Sequence, residues 1–408
     1  MGLNWRLALR NLTRNTRRTL LTGMVISLST AALVVTDAFI LGFMDTTVRS
    51  ATRMYSGDAQ MHHRDFLDER DEAFIIANPD HHLDQLAAAA QVANATPRVL
   101  AFGMISSAAD NRAVQVTGID PEREAAVSKI REAMTAGDYL TEAGDDTQIL
   151  LGERLADLLE VGLGDRLVVS VNNQDDGGVD QQLFRVSGLF HFNARMLDEN
   201  MVFVLLPKLQ SMMAIEGVHE IAWIMHSASL ASERDLPLWQ ALSTEDVTAQ
   251  GWTTLIPQLA SMLELTGASM AVIGGILFIL AGLSVTNGIF MSIYERTWEI
   301  GVLLAIGTRR RSIFRLILTE TFLLAIGAIA LGLLLGFGLT IWLAAVGIDY
   351  GNMEISGVSL AEVIRPVVDS RQYQLYPFWV LLLTLVAATY PALHAARIVP
   401  ARALQKSL

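Results

Sequence analysis

The chain has 408 residues, is 52% hydrophobic and carries a formal net charge of −12, with a mean hydropathy of +0.38. It is too apolar for an ordinary soluble domain and too charged for a protein immersed in lipid throughout, so part of it belongs in a bilayer and part in water. There is no cysteine, which excludes disulfide staples and thiol chemistry, and the acidic balance argues against nucleic acid as a partner.

Charge is sorted along the chain. Residues 45–264 carry 34 Asp and Glu against 15 Lys and Arg, whereas 1–18, 293–315 and 394–408 together carry 13 Lys and Arg against Glu295 and Glu299 alone. By the positive-inside rule the acidic region lies outside a membrane and the basic segments on its cytoplasmic side, both termini included.

Residues 1–18, MGLNWRLALRNLTRNTRR, are expected to form an interfacial amphipathic helix, with Trp5, Ala8, Leu9 and Leu12 on one face and Arg6, Arg10, Arg14 and Arg17 on another. Residues 19–44 make a first span, long enough to cross a hydrocarbon layer of ~30 Å with tilt. The DTTVR that follows is no small-residue cleavage site, so the segment reads as a span and not a signal peptide. Asp37 sits near its outer end, within reach of water, and reads as a structural or water-facing acid.

Residues 45–264 read as one exterior α/β domain. Helix from the first span should continue to Tyr55. Strand-like runs recur at Gly57–His62, Val99–Ser106, Ala113–Gly118, Gln148–Leu151, Leu167–Val171, Leu183–Phe190, Met201–Leu205 and Glu220–Met225. Between them, helical patterns occupy Leu83–Val92, Arg123–Met134, Gly152–Leu159, Lys208–Ala214 and Leu230–Leu242. Asn172–Asp180, NNQDDGGVD, has the composition of an acidic turn.

A second span covers 265–294, a third 313–346 and a fourth 377–395, with an outer loop at 347–376 and a basic cytoplasmic tail at 396–408. Gly332 and Gly336, like Ala271 and Gly275, have the small-xxx-small spacing that lets helices approach closely. The fold class is thus an α-helical membrane protein with four transmembrane helices and a large α/β domain between helices 1 and 2.

The connector, 295–312, is the most informative stretch. A charged turn (Glu295, Arg296, Glu299) precedes Ile300, Gly301, Leu303 and Leu304, then a break at Gly307 and the run Arg309–Arg311. The arginines fix topology. A passive loop has no use for three large apolar residues on one helical face, so the segment reads as a docking helix for a cytoplasmic partner.

No catalytic constellation accompanies it. The three lysines, Lys129, Lys208 and Lys406, do not follow glycine, so there is no phosphate-cradling P-loop. The pairs His62-His63 and His81-His82 lack metal-ligand spacing and read as solvated surface residues, and no GxSxG elbow occurs. The carboxylates of DFLDERDE, Asp68-Glu69 and Asp71-Glu72, read as a solvated face.

Several stretches carry a resemblance. "YERTWEIGVLLAIGTRRRSIFRLILTE" is similar to the connector of the MacB/FtsX-like (type VII) ABC transporter permeases. "TYPALHAARIVPARAL" resembles their C-terminal signature, with Pro391, Ala395, Arg397, Pro400 and Leu404 at matching places. "VQVTGIDPERE", "ILLGERLADLLEVGLGDRLVV" and "FRVSGLF…LDENMVFVLL" look like their periplasmic core. The resemblance covers nearly the whole chain and, by domain size and outer loop, leans to the lipoprotein-releasing (Lol) branch. Macrolide exporters themselves fuse an ATPase that this sequence lacks.

The resemblance implies a non-catalytic bacterial inner-membrane subunit, one of two permeases in a homo- or heterodimer. A separate ATPase dimer would bind ATP and Mg, and the chain itself would hold no cofactor. Residues Glu295, Arg296, Glu299, Ile300, Gly301, Leu303, Leu304, Gly307 and Arg309 would sit on that ATPase, and helix motion would drive the periplasmic domain, a mode called mechanotransmission. The implied function is release of lipoproteins to a periplasmic carrier; the alternatives are export of a hydrophobic drug or peptide through an adaptor, or activation of a periplasmic enzyme. A lipid-anchored client, held by ~0.8 kcal/mol per buried methylene, needs an apolar wall, for which Phe39, Ile40, Phe43, Ile273, Leu277 and Phe278 are the candidates.

Overall fold

The computed structural model describes residues 10, 12, 14, 16–175, 177–228, 230–348, 353–355, 358–360 and 363–399. Trp5, Arg6, Ala8 and Leu9 of the expected interfacial helix, and Pro400 and Leu404 of the C-terminal signature, lie outside them. The described residues fall into two compact units, one drawn from 1–43, 264–348 and 364–408, the other from 44–263 and 349–363.

The first unit is built on helices long and apolar enough to cross a membrane; among the described residues there are four, Thr19–Ser56, Pro257–Glu295, Arg310–Val346 and Gln372–Ala396. Their buried sides share one core, in which Ile26, Val285, Ile289, Ala325, Ile329 and Ala388 meet. Gly332 and Gly336 supply the close approach their spacing predicts. A Cβ on Gly332 would lie 2.5 Å from the Ser27 carbonyl oxygen and 2.8 Å from Thr30 Cβ, and one on Gly336 would lie 3.2 Å from Ala31 Cα. Gly275 has the same spacing to Ala271 but nothing within 4 Å of its Cβ position. Outside regular structure, the Val367 N–H donates to the Ala38 carbonyl at 2.9 Å.

The second unit is a mixed sheet with helices packed on it. Its strands are β1 (Ala59–His63), β2 (Val92–Ser106), β3 (Asn111–Ile119), β4 (Met134–Gly137), β5 (Gln148–Gly152), β6 (Arg166–Asn172), β7 (Val179–Phe190), β8 (Met201–Leu205), β9 (Glu220–Met225) and β10 (Val247–Gly251). They run in the order β10-β1-β9-β2-β3-β8-β5-β7-β4, with β6 bridging β2 and β7. The β3–β8 and β5–β7 pairs are parallel. Every residue of β8 and β9 is buried, and β8 reads as an unbroken apolar run for that reason. The acidic turn joins β6 to β7, with Gly177 in the left-handed region at φ 66°.

Three helices differ from their predicted extents. The first runs Pro79–Ala88, and Val92 opens β2 instead. The second starts where Asp120 caps it, accepting from the N–H groups of Glu122 and Arg123, and ends at Val127; Met134 belongs to β4. The third divides into Leu230–Ser232 and Pro237–Leu242, because Leu236, preceding a proline, is extended at ψ 126°. Among the described residues four strands were not predicted: Met353–Ile355 and Val358–Leu360, which pair with each other in the expected outer loop, and β4 and β10, which are the ends of the large sheet's strand order. The sequences of β4 and β10, MTAG and VTAQG, hold too few large apolar residues to signal a strand alone.

Candidate coupling site

The connector folds as a nine-residue helix, Thr297–Ala305, set between the long helices Pro257–Glu295 and Arg310–Val346. Its entry is made at Arg296, whose carbonyl accepts from Ile300 N–H at 3.0 Å. Its exit is made at Gly307, at φ 97° with nothing within 4 Å of its Cβ position. The glycine is therefore required by backbone conformation and not by crowding. The Thr308 N–H donates to Leu303 O and the Gly307 N–H to Leu304 O, satisfying carbonyls a helix end leaves open. Arg309 then caps the next helix, its carbonyl accepting from Ser312 N–H at 2.8 Å.

The apolar face does not project outward. Ile300 and Gly301 are buried, and Leu303 and Leu304 pack against the core of the long helices. Among the residues the connector exposes are Trp298, Ile306, Glu295 and the arginines Arg309–Arg311. Trp298 and Ile306, 52% and 74% exposed, were not singled out by periodicity, which marks a face without saying which side the protein keeps for itself.

An ionic chain fixes the helix in place. Arg296 donates from Nη1 to both Glu320 oxygens, at 3.2 and 3.0 Å, and from Nε to Glu299 Oε2 at 3.2 Å. Glu299 is in turn paired with Arg14. The Arg296 and Glu320 side chains are only 14% and 11% exposed, so each depends on the other. Glu320 and Arg14 thus join the predicted set. Glu320 lies 24 residues from Arg296 and Arg14 285 residues from Glu299, separations that no local pattern reveals.

Of the candidate wall residues, Ile273 is exposed, Phe39, Ile40 and Phe43 are half-buried, and Phe278 packs on the membrane core. The Leu277 side chain lies outside the described ones. Asp37 sits beside Tyr376 of the fourth long helix. Among the described residues no group of three or more His, Asp or Glu could hold a metal ion.

Comparison with known proteins bears on both units. Residues 271–400 match the FtsX-like permease C-terminal family, and residues 19–233 match the MacB-like periplasmic core domain. The lipoprotein-releasing system transmembrane protein LolC of Xylella fastidiosa is 24% identical over 331 residues, covering 77% of this chain and 78% of LolC. The pyoverdine export ATP-binding/permease protein PvdT of Pseudomonas fluorescens is 35% identical over 98 residues, 24% of this chain and 15% of PvdT. The crystal structure of the periplasmic region of MacB from Actinobacillus actinomycetemcomitans is 13% identical, with a TM-score of 0.35, and the match covers 50% of this chain and 94% of that one.

Proposed function

This chain belongs to the family of MacB-like and FtsX-like ABC transporter permeases, and from that premise we propose that it is the membrane subunit of a machine that releases lipoproteins from the inner membrane. The observation that carries the choice of client is the likeness to LolC, which spans 77% of the chain and so includes both units. In this reading two copies of the chain, or this chain and a related one, stand on an ATPase dimer that binds ATP and Mg. The termini and the connector face the cytoplasm, and the α/β unit faces the periplasm, where a carrier receives the client. A second reading, export of a small molecule, draws on the match to PvdT, which is higher in identity but covers only 24% of this chain.

The connector's geometry suits the coupling role. Its inward apolar face and its ion pairs make it rigid with the spans, so a push on Trp298, Ile306 or Arg309 moves the long helices and not just a loop. The permease does no bond-breaking chemistry in this account; it passes on a displacement. Purification of the full chain in mild detergent should bring down a nucleotide-hydrolysing subunit. Glu299→Arg breaks the tie to both Arg14 and Arg296, and Gly307→Val forces a β-branched residue to positive φ. Each should lower client release per ATP hydrolysed by about five- to tenfold, the scale of a typical coupling free energy, at unchanged membrane abundance. Wild-type release by both variants would refute the assignment of the connector.

A further inference from the structure

The first long helix does not simply stop. After Ala51 its backbone widens into a single π turn, Thr52–Ser56, closed by the Gly57 N–H donating to Thr52 O at 2.7 Å. Such turns are rare, and are found often where a helix does work. Gly57, at φ 76°, leaves room for no side chain, since a Cβ would sit 2.9 Å from the Trp223 carbonyl oxygen.

The turn is gripped by buried charged side chains that no step above uses. Arg98, on β2 and 0% exposed, clamps Glu124 through Nε at 2.9 Å and Nη2 at 2.7 Å, and reaches Glu220 through Nη1 at 2.6 Å. Its Nη2 also donates to the Tyr55 carbonyl at 2.7 Å, and its guanidinium lies 4.3 Å from the centre of the Tyr55 ring. The Gln60 amide donates to the Ser56 carbonyl at 2.7 Å and to Glu220 Oε1 at 3.2 Å. Two carbonyls at the end of the turn are therefore held by side chains of the sheet.

Arg98 faces two carboxylates, and the charge of Arg70 also acts on Glu220. His62, buried and not the solvated residue its sequence suggests, completes the cluster: Nδ1 lies 3.1 Å from His219 O and Nε2 3.0 Å from Gln60 Oε1. Because the Gln60 nitrogen is already committed, both ring nitrogens face acceptors, and Glu220 Oε2 is 3.8 Å away. Burial raises the Glu220 carboxyl and pulls the His62 ring down to about 3, whereas the ring's two acceptors favour its charged form.

We propose that Arg98, Glu124, Glu220 and His62 form the joint through which displacement of the first long helix enters the sheet, with Arg98 as the positioning residue. The proposal rests on the transmission reading above. Three strands meet at this cluster, β1, β9 and β2, and they are neighbours in the sheet, so a pull on the π turn is shared across the sheet. An apolar plug would hold the helix end at least as firmly, but it would not fix the direction of two particular carbonyls.

The test is the full chain carrying the triple substitution Arg98→Met, Glu124→Gln and Glu220→Gln. It removes the charges together and so leaves none buried alone. The chain has no cysteine, so paired spin labels at Arg49→Cys and Ala113→Cys report the helix end against β3. The expected result is a broadened label distance distribution in the triple variant, with cooperative unfolding retained. In the complex with its ATPase, client released per ATP should fall about tenfold, while a purely structural loss would lower ATP hydrolysis and release together. A distribution as narrow as that of the parent chain, or an unchanged release ratio, overturns the joint. If the distribution broadens but the unmutated complex releases no client, the transmission reading fails and the proposal falls with it; the cluster then only anchors the helix.

Discussion

His219 shows how completely one side chain can be specified. It is buried, its Nδ1 accepts from the Leu100 N–H at 3.1 Å, and its Nε2 donates to the Glu72 carbonyl at 2.9 Å. Those partners fix a neutral ring protonated on Nε2, because a proton on Nδ1 would face the Leu100 N–H. Burial accordingly lowers its pKa. The folded pKa lies below the unfolded one, so its contribution to stability is present above the unfolded value of about 6.5 and is lost as pH falls toward the folded value. Glu72, Glu220 and Asp198, whose carboxyls burial raises, act with the opposite sign, so the measurement is a difference. Denaturant unfolding of the full chain between pH 7.5 and 5 should lose stability more steeply than that of His219→Gln, by at most about 1.4 kcal/mol per pH unit, the limit for one proton. Equal slopes would show that the ring titrates freely. None of this was readable from sequence. Glu72 sits in a charged run that reads as a solvated face, yet it is buried and its Oε1 accepts from the Phe102 N–H at 2.5 Å. Phe66, in the same run and also buried, packs its ring against those of His62 and His219, and one aromatic residue among acids gives no periodic signal.

At the scale of elements, the membrane helices were legible because a bilayer imposes a length and a polarity that few other environments require. Strands β8 and β9 were placed to the residue because continuous burial leaves an apolar record, unbroken in β8 and interrupted in β9 by Glu220 alone. Edge strands β4 and β10 left none, since one side of each needs no partner. Small-xxx-small spacing was half informative. Gly332 and Gly336 face the first long helix at contact distance, whereas Gly275 faces nothing within 4 Å; the motif states that an approach is allowed, and the partner decides whether it happens. Gly332→Leu should therefore destabilise the full chain by about 1–3 kcal/mol or more through overpacking against Ser27 and Thr30, while Gly275→Leu should leave unfolding of the single chain unchanged. Thermal unfolding in detergent, followed for both variants, decides the matter. Similar losses for the two would mean that the contact between the first and third long helices does not set stability.

At the scale of the whole molecule, the two units keep separate cores. Among the described residues, Ile26, Val285, Ile313 and Ala388 belong to one, and Val99, Val116, Val204 and Trp223 to the other. The ionic chain Arg14–Glu299–Arg296–Glu320 lies wholly in the membrane unit, and the Arg98 cluster wholly in the α/β unit. A chain so divided can lose one function and keep the other. Removing residues 45–264 and rejoining the helices should leave a membrane protein that still brings down its ATPase, since the ion pairs and apolar packing described for the connector lie in the membrane unit. It should release no client, since the unit proposed to handle the client is gone. The measurement is copurification of the ATPase from detergent extract beside a release assay on intact membranes. Recruitment lost together with release would mean that the connector takes its shape from the α/β unit, and the division of labour drawn from the two cores would fail.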